Sequence, residues 1–263
     1  MQPSEAIMQA ESAYRAGDYG PCVRILHRLF VDDITFFEAE AARYVASVPA
    51  SDRSQFWSPP KDFYPDREKI ESIFDFIYAR GVWGGGSGCG SDLSRTVLYV
   101  GYVQALMDIH NVRTVLDLGC GDWRFSRYIN FSGRDYSGYD VVPSVVAANR
   151  SAFGASNIRF EQADLSAGPA FPPCDLILCK DVLQHLSNAH VSTILAKCRT
   201  ARLALITNDY HPENSDCRDG ETRPLDVTGP PFGFPARPVL RFGAKVSVLC
   251  ENPGYEMIRP AGS

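Results

Sequence analysis

The sequence predicts an α/β domain on a seven-stranded, mostly parallel sheet with flanking helices, preceded by a small helical segment. Three observations predict it. From residue 112 onward, short apolar runs alternate with amphipathic stretches of helical period. The first run empties into Gly119-Cys120-Gly121, where glycines permit a sharp strand-to-helix turn. The last two apolar runs, 238–242 and 246–251, flank Gly243 closely enough to close the sheet as an antiparallel hairpin.

The N-terminal segment, residues 1–48, reads as helical. Ser4 caps a helix to about residue 16, Gly17 ends it, and Asp18 caps a second over 19–30. Ala6, Ile7, Ala10, Ala13 and Tyr14 recur at helical spacing in the first, and Cys22, Ile25, Leu26 and Leu29 in the second. A third helix is expected over 33–48. The phrase Ala13 to Tyr19 resembles the turn of a tetratricopeptide unit, but no repeat follows. This segment is either a cap on the main domain or a surface for a partner. Residues 49–66 hold Pro49, Pro59, Pro60 and Pro65 among polar residues and read as a linker.

The main domain is placed at 67–263. A helix is expected over 67–80, then the glycine run from Trp83 to Ser91, then a helix capped by Ser91 or Asp92 and reaching residue 110. Strands follow over 112–118, 136–141, 157–162, 174–180 and 201–207. Helices are expected over 123–129, over 143–153 with Pro143 in its first turn, and over 188–200. The glycine run is either a lid over a ligand, anchored by Trp83, or a plain linker.

Composition narrows the function classes. A 45% apolar and 22% charged chain supports a buried core, and a net charge of -5 offers no broad attraction to nucleic acid. No stretch is long and apolar enough for a membrane span, and the N-terminus lacks a signal-peptide pattern, so a cytoplasmic protein is expected. The eight cysteines form no C-x-x-C pair, which leaves zinc and a disulfide framework poorly supported.

Ligands of doubly wound sheets sit at the carboxyl ends of the strands. Asp117 and the Gly119-Cys120-Gly121 turn lie at the first such end. Asp140 closes the second strand and suits ribose hydroxyls, and Asp164 ends the third and suits an adenine amino group. A dinucleotide fingerprint would need a third glycine where Arg124 stands. The turn instead resembles motif I of class I methyltransferases, which have a Rossmann-like fold and use S-adenosylmethionine. The marks Ser87-Gly88-Cys89-Gly90-Ser91, Leu118 to Trp123, Asp175 to Leu186, and Asn214, Asp216, Gly220, Arg223 and Pro231-Phe232 resemble a bacterial subgroup often found among glycan-related genes, although Lys180 stands where arginine is more usual. The resemblance implies cofactor contacts from Asp117, Gly119, Cys120, Gly121, Asp122, Trp123, Asp140, Val141, Asp164, Leu165 and Lys180, with Trp83, Ser87 and Gly88 from the glycine run. It implies acceptor contacts from Asn214, Asp216 and Arg223.

Methyl transfer to a hydroxyl needs a base. His185, just after the fourth strand, is the candidate, or else it packs beside the cofactor. Asp181 would orient His185 or take the proton itself. Arg223 grips a substrate oxygen or pairs with a nearby aspartate. Asp209, His211, Glu213 and Asp216 of the 208–216 segment either bind a divalent metal or form a solvated loop; dense loop carboxylates are more often solvated, so no metal is expected. The expected activity is O-methylation of a sugar or other hydroxylated small molecule. The alternatives are N- or carboxyl methylation of a peptide or protein docked on the N-terminal helices, and a non-catalytic cofactor-binding regulator.

Overall fold

A computed structural model describes residues 3–50, 56–66, 68–252 and 255. Helices α1 (Pro3–Arg15) and α2 (Tyr19–Ser47) open the chain, followed by α3 (Ile70–Arg80) and α4 (Leu93–Ile109). The alternating region gives β1 (Thr114–Leu118), β2 (Asp135–Asp140), α5 (Pro143–Phe153), β3 (Ile158–Gln162), β4 (Leu176–Lys180), α6 (Asn188–Cys198) and β5 (Leu203–Asp209). The hairpin strands are β6 (Arg237–Phe242) and β7 (Lys245–Glu251). The seven strands form one sheet in the order β3-β2-β1-β4-β5-β7-β6. The first five pair in parallel, while β7 runs antiparallel between β5 and β6. This is a Rossmann-like sheet.

The sheet separates two cores by its period of two. Leu176, Leu178, Leu203 and Leu205 face α4 and α2 on one side, while Ile177, Cys179, Ala204 and Ile206 face α6 on the other. The α4 helix is buried along most of its length because it lies between the sheet and α2. Gly101 permits that approach. A Cβ there would sit 2.8 Å from Leu26 Cβ and 3.2 Å from the Phe30 ring.

Three local expectations change. The separate helices expected over 19–30 and 33–48 are one element, bent where Asp33 leaves helical geometry (φ -150°, ψ 49°). The bend lets one helix follow both α4 and β6 without losing its apolar contacts. The helix expected over 123–129 is only one 3-10 turn, Ser126–Tyr128. Trp123 takes φ +55° and buries its indole against Phe131, Tyr136, Phe153 and Phe160, so packing overrides helix formation. The fifth strand continues to Asp209, because Asn208 and Asp209 pair with Val246 and Lys245 of the hairpin. The expected helix start at residue 67, and residues 51–55 of the expected linker, lie outside the described residues.

Candidate active site

The site forms where β1 ends. Gly119 and Gly121 adopt φ +68° and +56°. A Cβ at Gly119 would meet Val182 Cγ2 at 2.4 Å, and one at Gly121 would meet Ser87 Oγ at 2.3 Å. Both glycines are therefore required by conformation and by space. The amides of Gly119 and Cys120 donate to Tyr139 O at 2.8 and 2.9 Å, which ties the turn to β2. Asp140, at the end of β2, accepts from Gly121 N and Val142 N, each at 3.0 Å. Burial raises its pKa, and those backbone N–H groups oppose the rise.

Asp117 lies one residue before the end of β1 and is buried. Burial pushes its carboxyl up to about 6, against the hydrogen bond that Tyr136 Oη donates at 2.7 Å. A carboxyl held in this way ionises fully when a cation is placed against it.

A cavity of about 830 Å³ opens beside this turn. Asp117, Gly119, Cys120, Gly121, Asp140, Val141, Asp164, Leu165 and Lys180 all line it, as do Trp83, Ser87, Gly88, Asp181 and His185. Asp164 also accepts from Ser166 N and Oγ at 2.9 and 2.7 Å. The cavity thus brings together the glycine turn, the three strand-end acids and the glycine run.

The glycine run is fastened to the turn rather than hanging free. Ser87 N donates to Asp122 Oδ2 at 3.2 Å, Asp122 N donates to Ser87 Oγ at 2.8 Å, and Tyr78 Oη lies 2.8 Å from the same hydroxyl. Further along, Gly90 O accepts from Lys180 Nζ at 3.1 Å.

Five of the expected contacts do not line the cavity: Asp122, Trp123, Asn214, Asp216 and Arg223. Asp122 is the Ser87 fastener, and Trp123 is buried in the aromatic core. Arg223 is wholly buried. Its guanidinium donates to Ser215 O, Leu183 O, Leu186 O and Asn188 Oδ1 at 2.8 to 3.2 Å, so it grips the protein's own backbone rather than an acceptor. Asn214 donates to Asp226 O and Pro230 O, each at 2.7 Å, and Asp216 accepts from Asn188 N and Cys217 N, each at 2.8 Å. These three residues hold the 211–231 segment in shape.

Asp181 does not orient His185. It adopts φ +59° and lies 2.5 Å from Lys180 Nζ and 2.8 Å from Lys245 Nζ. Burial would raise its pKa, but the two ammonium groups prevail and lower it, which makes it a poor proton acceptor. His185 is held instead by the short segment 220–223. Its Nδ1 lies 3.1 Å from Glu221 O and 3.1 Å from Thr222 Oγ1, and Trp83 packs on its ring at 4.9 Å. Burial pushes the imidazole down to about 4.

Gln184, Asp209, Thr222 and Lys245 line the same wall and were not among the expected contacts. Lys245 lies 3.0 Å from Asp209 Oδ1, and Gln184 Oε1 accepts from Asp209 N at 2.8 Å. The one sequence signal for Lys245 is its place two residues after Gly243 in the hairpin. Only strand order shows that this turn returns beside the end of β5, one strand from β4. Among the described residues, no three potential metal ligands come together, and no helix is long and apolar enough to cross a membrane.

Comparison with known proteins agrees with this geometry. Residues 115–202, from β1 almost to β5, match the family model of a methyltransferase domain. No curated protein sequence matches the chain. Among solved structures, the 1,6-didemethyltoxoflavin-N1-methyltransferase of Burkholderia thailandensis, bound to 1,6-didemethyltoxoflavin and S-adenosylhomocysteine, is 17% identical. The match covers 76% of this chain and 96% of that one at a TM-score of 0.51, a likeness of fold. The magnesium protoporphyrin IX methyltransferase of Synechocystis PCC 6803 is 14% identical over 70% of this chain and 98% of that one, with a TM-score of 0.48. The glycine turn of β1, the strand-end acids and the family match together make this chain an S-adenosylmethionine-dependent methyltransferase, carrying a class I methyltransferase domain.

Proposed function

We propose that the chain methylates a hydroxyl group of a sugar or other hydroxylated small molecule, with His185 as the base. The observation that carries this reading is that His185 lines the cavity with its Nδ1 held 3.1 Å from the Glu221 carbonyl oxygen. Glu221 O can only accept, so the tautomer that satisfies it places the proton on Nδ1, with Thr222 Oγ1 beside it, and leaves a lone pair on Nε2. Burial pushes its pKa down to about 4, so the ring is neutral at pH 7 with the lone pair available, but it is a weak base that takes the proton only as the acceptor oxygen becomes acidic on methylation.

S-adenosylmethionine, when bound, supplies an activated methyl group. Asp117 and the backbone of Gly119 to Gly121 suit its cationic amino acid end, Asp140 and Val141 its ribose, and Asp164 and Leu165 its adenine. His185 Nε2 receives the hydroxyl proton as the acceptor oxygen is methylated. Arg223 and Asp216 support the backbone that holds His185. Pockets for one drug-sized ligand start at roughly 300 Å³, so a cavity of about 830 Å³ has room for a nucleoside and a small acceptor together. Residues 3–47 serve as a layer of the same unit, since α2 shares its core with α4 and the sheet.

The test is transfer of a tritium-labelled methyl group to hydroxylated, amine and carboxylate compounds, alongside S-adenosylhomocysteine binding by calorimetry. Label should enter hydroxyl compounds. Label entering only amines or carboxylates would overturn the O-methyl reading while leaving the methyltransferase in place.

A further inference from the structure

Four charged side chains alternate in sign along the acceptor wall: Lys180, Asp181, Lys245 and Asp209. Burying such a row is costly and is offset only by close pairing, and rows of this kind cluster at functional sites. Lys180 is committed to the protein, since its ammonium is enclosed and also donates to Gly90 O. Lys245 and Asp209 are not fully committed. Lys245 spends two N–H groups on Asp181 and Asp209, and its third has no partner among the described residues. Asp209 holds one lysine contact at 3.0 Å and a long Gln184 contact at 3.4 Å, which leaves lone pairs on both oxygens. Both residues line the cavity.

Their placement is rigid. Asp209 and Lys245 are directly paired residues of the β5–β7 ladder, so their side chains leave the same face as neighbours. Gln184 Oε1 fixes the Asp209 backbone, and the next residue is His185. The row is also neutral, two lysines against two aspartates, so a charged group gains no net attraction from it. A hydroxyl, which both donates and accepts, answers a lysine and an aspartate at once.

We propose that the acceptor is a neutral vicinal diol, with its reacting hydroxyl at His185 Nε2 and the neighbouring hydroxyl held between Lys245 and Asp209. This rests on the O-methyl reading above and adds that the second hydroxyl is required. A site built to hydrogen-bond a hydroxyl rejects an analogue lacking it far more strongly than an apolar pocket rejects a size change.

The test uses ring compounds in pairs: trans-1,2-cyclohexanediol against cyclohexanol, and catechol against phenol. The intact chain and labelled S-adenosylmethionine are used throughout. The diol of a pair should be methylated with a kcat/KM at least about a hundredfold above that of its partner. Asp209→Asn and Lys245→Met should shrink that ratio to about tenfold or less, mainly through KM of the diol. S-adenosylhomocysteine affinity should stay within about threefold, because neither residue belongs to the cofactor half. Melting curves identify a variant that fails to fold, and Asp209→Asn, which keeps shape and one acceptor oxygen, then carries the result. Equal methylation of diol and single-hydroxyl compounds, or an unchanged ratio in folded Asp209→Asn, overturns the diol assignment alone. Absence of label in every hydroxyl compound, with amines labelled, overturns the O-methyl reading and this inference with it.

Discussion

Three side chains carry separate and measurable parts of the site. Asp140 is held by two backbone N–H groups, an arrangement that fixes the carboxylate before any ligand arrives. Asp140→Ala should weaken S-adenosylhomocysteine binding by about 1 to 3 kcal/mol, the size of a lost charge-assisted hydrogen bond, as read by calorimetry. Unchanged affinity would remove it from the site. His185→Ala should lower turnover by roughly a hundredfold with cofactor affinity nearly intact. Because burial pushes the imidazole down to about 4, the acid limb of the native pH–rate curve should lie near pH 4 to 5 rather than 6.5. A limb at 6.5, or one kept in the variant, would count against His185 as the base. Asp117 and His185 also act oppositely on stability. The His185 pKa is depressed on folding, so between about 6.5 and 4 the unfolded chain binds more protons and stability falls as pH falls. The Asp117 pKa is raised to about 6, so the native chain binds more protons between about 4 and 6, and that contribution is lost as pH rises through 6. Asp117→Asn, which still accepts from Tyr136, should therefore stabilise the ligand-free chain at pH 7.5 by on the order of 2 kcal/mol while abolishing tight cofactor binding. A melting temperature below the native value would contradict this balance.

At the scale of elements, two contacts set the geometry. Gly101 lets α2 rest on α4, with Leu26 Cβ only 2.8 Å from where its own Cβ would be. Gly101→Ala should cost about 1 to 3 kcal/mol through overpacking, although alanine favours the helix itself. Denaturant unfolding checks this, and a stabilised variant would show that the helices separate freely. The Ser87–Asp122 fastener holds the glycine run against the cofactor turn. Ser87→Ala should make cleavage within residues 83–91 faster and weaken S-adenosylhomocysteine binding several-fold, about 1 kcal/mol for the lost bonds. Equal proteolysis of native and variant chains would leave the run held by its other contacts.

For the molecule as a whole, the N-terminal helices and the sheet share one core. Phe30, Val23 and Leu26 belong to the same buried cluster as Leu176, Leu178 and Leu205. Most of the apolar face of α2 is therefore spent on folding, with Val31 and Phe36 left exposed. Deleting residues 1–48 should expose the buried α4 surface and abolish cooperative unfolding, as judged by calorimetry and solubility. A truncated chain that still melts sharply would separate the helices from the domain.

The sequence by itself determined the α/β architecture, the glycine turn and the three strand-end acids. These depend on local rules: hydrophobic period, the need for glycine at positive φ, and the delivery of strand ends to one edge. It also determined the hairpin at Gly243, because turn chemistry is local. What it did not determine depends on partners distant in the chain. Trp123 leaves its helix for an aromatic cluster assembled from residues up to 160. Arg223, legible only as a conspicuous arginine, turns inward because the carbonyls of Leu183, Leu186 and Ser215 surround it. Asp181, four residues before His185, reads as its natural partner, yet a left-handed backbone and two lysines draw it away. Lys245 joins the site only because β7 inserts antiparallel beside β5 and sets it opposite Asp209. Charge pairing within a cavity depends on which strands are neighbours, and that choice is made by packing across the whole sheet.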